Sequence, residues 1–208
     1  MRRALLAALL ALLVLTVPVV AKLPSHPESI TPLFSGENVI CTTWSVNEKK
    51  GLWATAAHCL FSWYEIDGFV TAVPTANLNI KGTPVTGARA DMDADLALME
   101  ADVHAPGLKF GAYPHMGELM TVYGYPGGLN TPLASWLFVS NPYVTFFDRD
   151  WMVLDGSVWP GHSGSPVLDK KGRVVAVVLA HGQGRYSGMT FASTWQQLQA
   201  FIADGWQS

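Results

Sequence analysis

Three short segments carry residue types suited to nucleophilic acyl chemistry: Thr55-Ala56-Ala57-His58-Cys59, Asp95-Leu96-Ala97-Leu98 and Gly161-His162-Ser163-Gly164-Ser165-Pro166. A serine hydroxyl attacks a carbonyl at neutral pH only if an imidazole takes its proton, and that imidazole needs a carboxylate to fix its tautomer. His58 can serve as base, Asp95 as orienting acid and Ser163 as nucleophile. The tetrahedral intermediate of such an attack carries an oxyanion that backbone N–H groups must reach unobstructed. The glycine-flanked turn offers those of Gly161 and Ser163. A lone serine in a glycine-rich loop is ordinarily a turn former, so the upstream histidine and aspartate are what single out Ser163.

In this order the segments resemble the signatures of the chymotrypsin-like (trypsin-fold) serine proteases, T-A-A-H-C, D-[IL]-A-L and G-[DN]-S-G-[GS]-P. The resemblance runs from about residue 39 to the C-terminus. Gly164-Ser165-Pro166 and the stretch Val122-Tyr123-Gly124-Tyr125-Pro126-Gly127 are more similar to the bacterial glutamyl-endopeptidase-like and Deg-type branches than to digestive trypsins. The resemblance implies an all-β chain of two six-stranded antiparallel barrels, with His58 and Asp95 on the first and Ser163 on the second. It also implies a polypeptide substrate, no metal or organic cofactor, and peptide-bond hydrolysis through an acyl-enzyme. The alternative is a latent or inactive peptide-binding protein on the same scaffold. Gly161-His162-Ser163-Gly164 is also similar to the nucleophile elbow of α/β-hydrolases. That motif has glycine where Ser165 stands, and its acid and histidine follow the serine.

Two departures from the family pattern bear on function. His162 occupies the place where trypsin-like zymogens carry an aspartate that pairs with a newly cut N-terminus, and a histidine cannot act as that anion. What holds the oxyanion turn is therefore left open. The resemblance places Ser157, Val158 and His181 on the walls of the substrate pocket. Trypsin-like enzymes have an aspartate at the position of Ser157, so cleavage after Lys or Arg is disfavoured. A pocket histidine at 181 would suit an acidic side chain, and small or neutral apolar side chains fit equally well.

Other polar residues carry weaker signals. Asp91, Asp93 and Asp95 alternate, so on a strand they would share one face, and a calcium cluster is conceivable there. No glycine-bearing calcium loop surrounds them, and Leu96-Ala97-Leu98 marks Asp95 as the family acid. His26, His104 and His115 have no ligand-like spacing and read as surface histidines.

The elements that must position these residues are short. From residue 39 onward, β-branched and aromatic runs alternate with Gly, Asn, Asp and Pro, giving around a dozen strands: 39–45, 52–55, 68–73, 78–80 and 96–101, then 119–123, 136–140, 143–147, 151–154, 166–168, 174–180 and 189–192. Such a pattern means a sandwich or a pair of barrels. Residues 39–108 form the first expected barrel and 109–192 the second, with the crossover within 102–116. Residues 193–208 change period: Ser193-Thr194-Trp195-Gln196 reads as a capping box, and Trp195, Leu198, Phe201 and Ile202 follow a helical stripe before Gly205. Residues 22–38, with Pro24, Pro27 and Pro32, read as an extended arm strapped to the surface.

Arg2 and Arg3 precede an apolar run over residues 4–21 that ends in Val19-Val20-Ala21. This is the pattern of a signal peptide cleaved after Ala21, which implies a secreted or periplasmic product with no membrane contact once cleaved. The alternative is an uncleaved membrane anchor over the same residues. An exported chain with only two cysteines, Cys41 and Cys59, suggests a disulfide, and the family places a bridge there; reduced core thiols are the alternative. The net charge of −3 and a charged fraction of 14% provide no basic face, so nucleic acid is not an expected partner. Eight tryptophans and nine phenylalanines supply aromatic mass for a substantial core.

Overall fold

A computed structural model describes residues 27–66 and 69–204. The expected signal segment, residues 22–26 of the arm, His26 and the tail beyond Asp204 lie outside the described residues. Six strands close one barrel in the order β1 (Ile30–Ser35), β2 (Asn38–Asn47), β3 (Leu52–Ala56), β8 (Leu96–Ala101), β7 (Thr83–Asp91) and β6 (Leu78–Ile80). Six more close a second: β10 (Leu133–Phe146), β11 (Arg149–Asp155), β14 (Met189–Ala192), β13 (Val174–His181), β12 (Pro166–Leu168) and β9 (Leu119–Gly124). A hairpin of β4 (Phe61–Ile66) and β5 (Phe69–Pro74) stands apart from both. The strands pair antiparallel, and α1 (Trp195–Ala203) closes the chain, so the expected fold class is the observed one. Closing each sheet gives every strand a neighbour on both sides over part of its length.

The two cores meet along β13. Val175, Ala176 and Val178 pack into the interior of the second barrel with Met120, Val122, Leu154 and Val167. Val174, Val177 and Leu179 belong instead to the cluster that fills the first barrel and spreads across the seam, where Leu198 and Phe201 of α1 join it. A strand covered on both faces needs no polar alternation, which is why residues 174–180 read as one continuous apolar run. Residues 102–118 cross between the barrels. Leu108 N–H donates to Ser45 of the first barrel at 2.9 Å, and Gly111 N–H donates to Val174 of the second at 2.8 Å.

Several expectations need correction. The arm is not a surface strap: its residues 30–35 form β1, with Ile30 and Leu33 buried in the first core. Pro32 masked the strand, yet β6 pairs only with Leu33–Ser35, so proline sits where one side of β1 has no ladder partner. β7 was hidden by Pro84 and Gly87, and Ser62 and Glu65 leave β4 without a clean two-residue period. The runs 136–140 and 143–147 merge into the long β10, whose register shifts near Asn141. The strand anticipated at 68–73 is β5, in the separate hairpin. Asp91 ends β7, and Asp93 and Asp95 lie in the turn that follows, where Asp91 Oδ1 accepts from the N–H groups of Asp93 and Ala94; the three do not share a strand face.

The capping box of α1 is one residue later than its sequence pattern. Thr194 is the N-cap, its Oγ1 accepting from Gln197 N–H at 3.2 Å while Gln197 Oε1 accepts from Thr194 N–H at 2.8 Å. Ser193 is already engaged by β13, its Oγ accepting from Val177 N–H.

Cys41 in β2 and Cys59 in the turn after β3 are joined by a disulfide with a sequence separation of 18 residues. Closing a loop of that length restricts the unfolded chain. The double variant Cys41→Ala/Cys59→Ala should lose about 3 kcal/mol of unfolding free energy in urea titrations.

Candidate active site

His58 sits in a single 3-10 turn, Ala57–Leu60, that follows β3 directly. Ala56 and Ala57 are fully buried, so their small side chains let this turn press against the turn before β8. There Asp95, itself buried, has a left-handed backbone with φ of 55°, a conformation that aspartate tolerates better than most residues. Asp95 and the histidine turn are joined by three hydrogen bonds. Its carbonyl accepts from Ala57 N–H at 3.0 Å, Oδ1 from His58 N–H at 2.8 Å, and Oδ2 lies 2.8 Å from His58 Nδ1. With Nδ1–H directed at the carboxylate, Nε2 is the nitrogen left to accept a proton.

Ser163 belongs to the loop between β11 and β12 and lines, with His58, a cleft of about 580 Å³ at the barrel seam. No hydrogen bond joins the two side chains in this structure. Such bonds are often long in ligand-free enzymes and tighten with substrate. The residues before Ser163 form a turn in which His162 N–H donates to Trp159 C=O at 3.0 Å, with Pro160 and Gly161 at its centre and Gly161 at φ of 97°. Proline followed by a glycine of positive φ is the pattern of a type II turn.

The orientation of the Pro160–Gly161 peptide follows from its other contact. Pro160 C=O accepts from Gly127 N–H at 2.6 Å. In a trans peptide the N–H points opposite to the C=O, so Gly161 N–H is turned away from Gly127. Neither Gly161 N–H nor Ser163 N–H has an acceptor among the described residues. Two unclaimed donors beside a serine are what an oxyanion site requires.

Sequence reasoning did not find what fixes this loop, and the structure assigns much of it to Thr42 in β2. Thr42 N–H donates to Ser163 C=O at 2.9 Å, and Thr42 Oγ1 donates to Gly161 C=O at 2.8 Å. The same Oγ1 accepts from Tyr125 N–H at 2.9 Å, and Thr42 C=O accepts from Thr55 Oγ1. The approach is so close that a Cβ on Gly164 would strike Thr42 C=O and Thr55 Oγ1. Tyr125, Pro126 and Gly127 were visible as part of a family-like motif, but nothing in the sequence linked them to Thr42.

His162 is fully buried. Its Nδ1 accepts from Trp159 N–H at 3.2 Å, which ties the turn to itself, and its Nε2 has no partner among the described residues. Burial lowers its pKa to about 4, and the nitrogen that accepts from Trp159 can do so only while unprotonated, so the ring is neutral at neutral pH.

Val158 and His181 line the cleft, with Leu179, Ala180 and Gln183 between and beyond them. Ser157 does not. It is exposed, because Gly156 just before it is held to the far loop by Gly156 N–H to Gly188 C=O and Thr190 Oγ1 to Gly156 C=O. Cys41, Cys59 and His58 bring potential ligand atoms within 4.8 Å of one another, but the two sulfurs are bonded together and only the imidazole could take a metal. His104 is exposed and bonded to Glu48 C=O and the Asp102 carboxylate, away from the cleft.

A profile of the family described as a trypsin-like peptidase domain matches residues 41–177. A probable periplasmic serine endoprotease, DegP-like, from Chlamydia pneumoniae is 29% identical over 118 residues, which is 52% of this chain and 24% of that protein. The chain thus spans about a quarter of the length of that curated relative. Among solved structures, the Rv3671c protease of M. tuberculosis in its active form has a TM-score of 0.68 at 21% identity, covering 89% of this chain and 83% of that one. Its inactive form has a TM-score of 0.66, also at 21% identity, covering 90% and 92%. The HtrA-type protease AlgW with tripeptide has a TM-score of 0.63 at 17% identity, covering 86% and 62%. At these identities the structural likeness is one of fold.

Two outcomes follow from the loop's anchoring. Thr42→Val keeps the shape but leaves Tyr125 N–H and Gly161 C=O without a buried partner. Urea denaturation should show a loss of about 2 kcal/mol, largely restored in Thr42→Ser. For His162 the unfolded chain binds a proton below about pH 6.5 and the folded chain only near 4. Stability is therefore undiminished by this group above pH 6.5 and falls as the pH drops toward 4, by about 3 kcal/mol in total. His162→Asn, which retains an acceptor for Trp159 N–H, should flatten the dependence in denaturation curves collected between pH 7 and pH 4.

Proposed function

The chain belongs to the trypsin-like peptidase family, and from that premise we propose that it is an exported serine endopeptidase that cuts polypeptides through Ser163, His58 and Asp95. The observation that carries this is the doubly hydrogen-bonded Asp95–His58 pair beside a serine whose turn leaves two backbone N–H groups free. His58 Nε2 takes the Ser163 proton as Oγ attacks the scissile carbonyl carbon. Asp95 holds the imidazole in place and stabilises its cationic form. The N–H groups of Gly161 and Ser163 receive the developing oxyanion. Collapse expels the amine, protonated by His58, and leaves an acyl group on Ser163. Water, deprotonated by the same imidazole, then releases the acid.

A polypeptide substrate is supported by the cleft at the seam and by the edge of β13 beside it. β12 pairs with β13 only as far as Val177, so beyond Val178 that side of β13 is open to an added strand. Export is supported by Arg2, Arg3 and the apolar run that follows, by the disulfide, and by the periplasmic naming of the Chlamydia relative. Retention of residues 4–21 as an anchor would change the address and not the chemistry. No helix among the described residues is long and apolar enough to cross a membrane. The lack of a His58–Ser163 hydrogen bond favours a second reading, a latent scaffold that binds peptides without cutting them.

Fluorophosphonate labelling of the exported protein, read by intact mass, tests the proposal. The expected result is a single adduct that is absent in Ser163→Ala and after heat denaturation, on a chain beginning at Lys22. Folded protein that resists labelling yet binds peptides would replace the proposal with the latent scaffold.

A further inference from the structure

Cys41, His58 and Cys59 meet on the wall of the cleft. Their donor atoms lie within 4.8 Å of one another, and no other three His, Cys, Asp or Glu side chains converge in this way among the described residues. With the sulfurs joined to each other, neither has a thiolate to offer. Reduction changes what these side chains can do. Two thiolates and one imidazole are the protein ligands of a Cys2His zinc site, with the fourth position left to water.

Such a site requires that the cysteines keep their places once the bond between them is broken. Cys41 is paired with Leu33 of β1, and the N–H of its neighbour Thr42 donates to Ser163 C=O at 2.9 Å. Cys59 lies in the turn whose Ala57 and His58 N–H groups donate to Asp95 at 3.0 Å and 2.8 Å, and whose His58 C=O accepts from Phe61 N–H. None of these bonds runs through sulfur. The two Cα atoms are 6.2 Å apart. A tetrahedral zinc ion places its thiolate sulfurs about 3.8 Å from each other and about 3.6 Å from the imidazole nitrogen, separations that side-chain rotation can reach from here.

The imidazole is already arranged for metal binding. A metal-ligating histidine characteristically donates its second ring N–H to a carboxylate, and Asp95 Oδ2 stands 2.8 Å from His58 Nδ1. Nε2 is then the nitrogen left for an ion. Cys41 and Cys59 are each only 4% exposed, so a reductant must reach the sulfurs through the cleft that both line.

We propose that the cleft holds a redox-gated zinc site, in which reduction of the Cys41–Cys59 disulfide by an external dithiol lets the two thiolates and His58 Nε2 bind one Zn²⁺ and thereby occupy the catalytic base. A thiolate of the dithiol attacks one sulfur, forming a mixed disulfide and releasing the other cysteine, and the second thiol of the reductant closes on the first. The dithiol becomes a disulfide, having given two electrons and two protons, and Cys41 and Cys59 become thiols. Zn²⁺ binding then releases those two protons to water. The Nε2 lone pair that takes the Ser163 proton is held by the metal. Metal binding itself does not depend on the peptidase reading; only its effect on activity does.

The test starts from protein reduced with dithiothreitol, freed of it anaerobically, and titrated with Co²⁺ and then Zn²⁺. The expected result is one Co²⁺ per chain, with a thiolate-to-cobalt charge-transfer band and the visible bands of a tetrahedral ion, both abolished by Zn²⁺. Zn²⁺ should bind the reduced protein at least about a hundredfold tighter than the oxidised one, and His58→Ala should weaken it at least about tenfold. Zn²⁺ should also suppress fluorophosphonate labelling of the reduced protein, with recovery on adding a chelator. Equal affinity in both redox states, affinity that survives in Cys41→Ala/Cys59→Ala or in His58→Ala, or loss of near-ultraviolet circular dichroism on reduction before any metal is added would overturn the proposal. Cobalt bands as expected, on a protein that never labels with or without metal, would count against the peptidase alone.

Discussion

The site depends on one junction, where the 159–164 loop of the second barrel meets β2 of the first. Thr42 engages that loop twice and Tyr125 once, while its own carbonyl is tied to Thr55 within the first barrel. Two barrels with separate interiors are thereby set in one relative position over a few ångströms of backbone. Thr42, Thr55 and Tyr125 are buried, so these hydrogen bonds leave little slack, because a displaced buried donor or acceptor loses its partner without ready access to water. Gly161 and Gly164 are needed at this junction for different reasons, a positive φ in the turn and a contact too tight for any side chain.

Charge is placed around this junction sparingly. The Asp95 carboxylate is enclosed by contacts from the His58 turn, so it serves that ring and faces nothing else ionic among the described residues. Beneath Ser163, the fully buried His162 is kept neutral by its surroundings and acts as a hydrogen-bond acceptor inside the turn. A zymogen-type ion pair is replaced here by neutral hydrogen bonds from Thr42, Gly127 and the turn itself. Along β13 the surroundings change from this polar junction to an apolar concavity at Phe147 within a few residues, so one strand borders both the cleft at Ser163 and a group of aromatic side chains.

Much of this was legible in advance where local pattern and tertiary role coincide. The boundaries of β6, β8, β12 and β14 match their apolar runs because each is short, apolar and closed by turn residues. β1, β4 and β7 were missed because proline, glycine and polar positions interrupt their periods; each is held by pairing with the strand that follows it in the chain, β2, β5 and β8. Ser193 resembled an N-cap until β13 claimed its hydroxyl, which moved the cap to Thr194. The family resemblance drew Ser157 into the pocket, whereas Gly156 beside it pairs with the 188–190 loop and Ser157 is exposed.

The sequence by itself determined the chemistry on offer and the class of fold. His58, Asp95 and Ser163 can be named as candidates from their neighbours because tight turns demand particular small residues beside the side chain they present, and short alternating runs admit few architectures. Only the tertiary structure decided what holds the turn and what surrounds the cleft. Thr42 and Gly161 are 119 residues apart, and neither residue type announces a contact. The aromatic side chains around the concavity at Phe147 come from β10, the turn after it, β11, β14 and the loop after β13, which no period in the chain connects. Local pattern reports what a segment does to its own backbone; contacts between distant segments arise only when both barrels close and pack against each other.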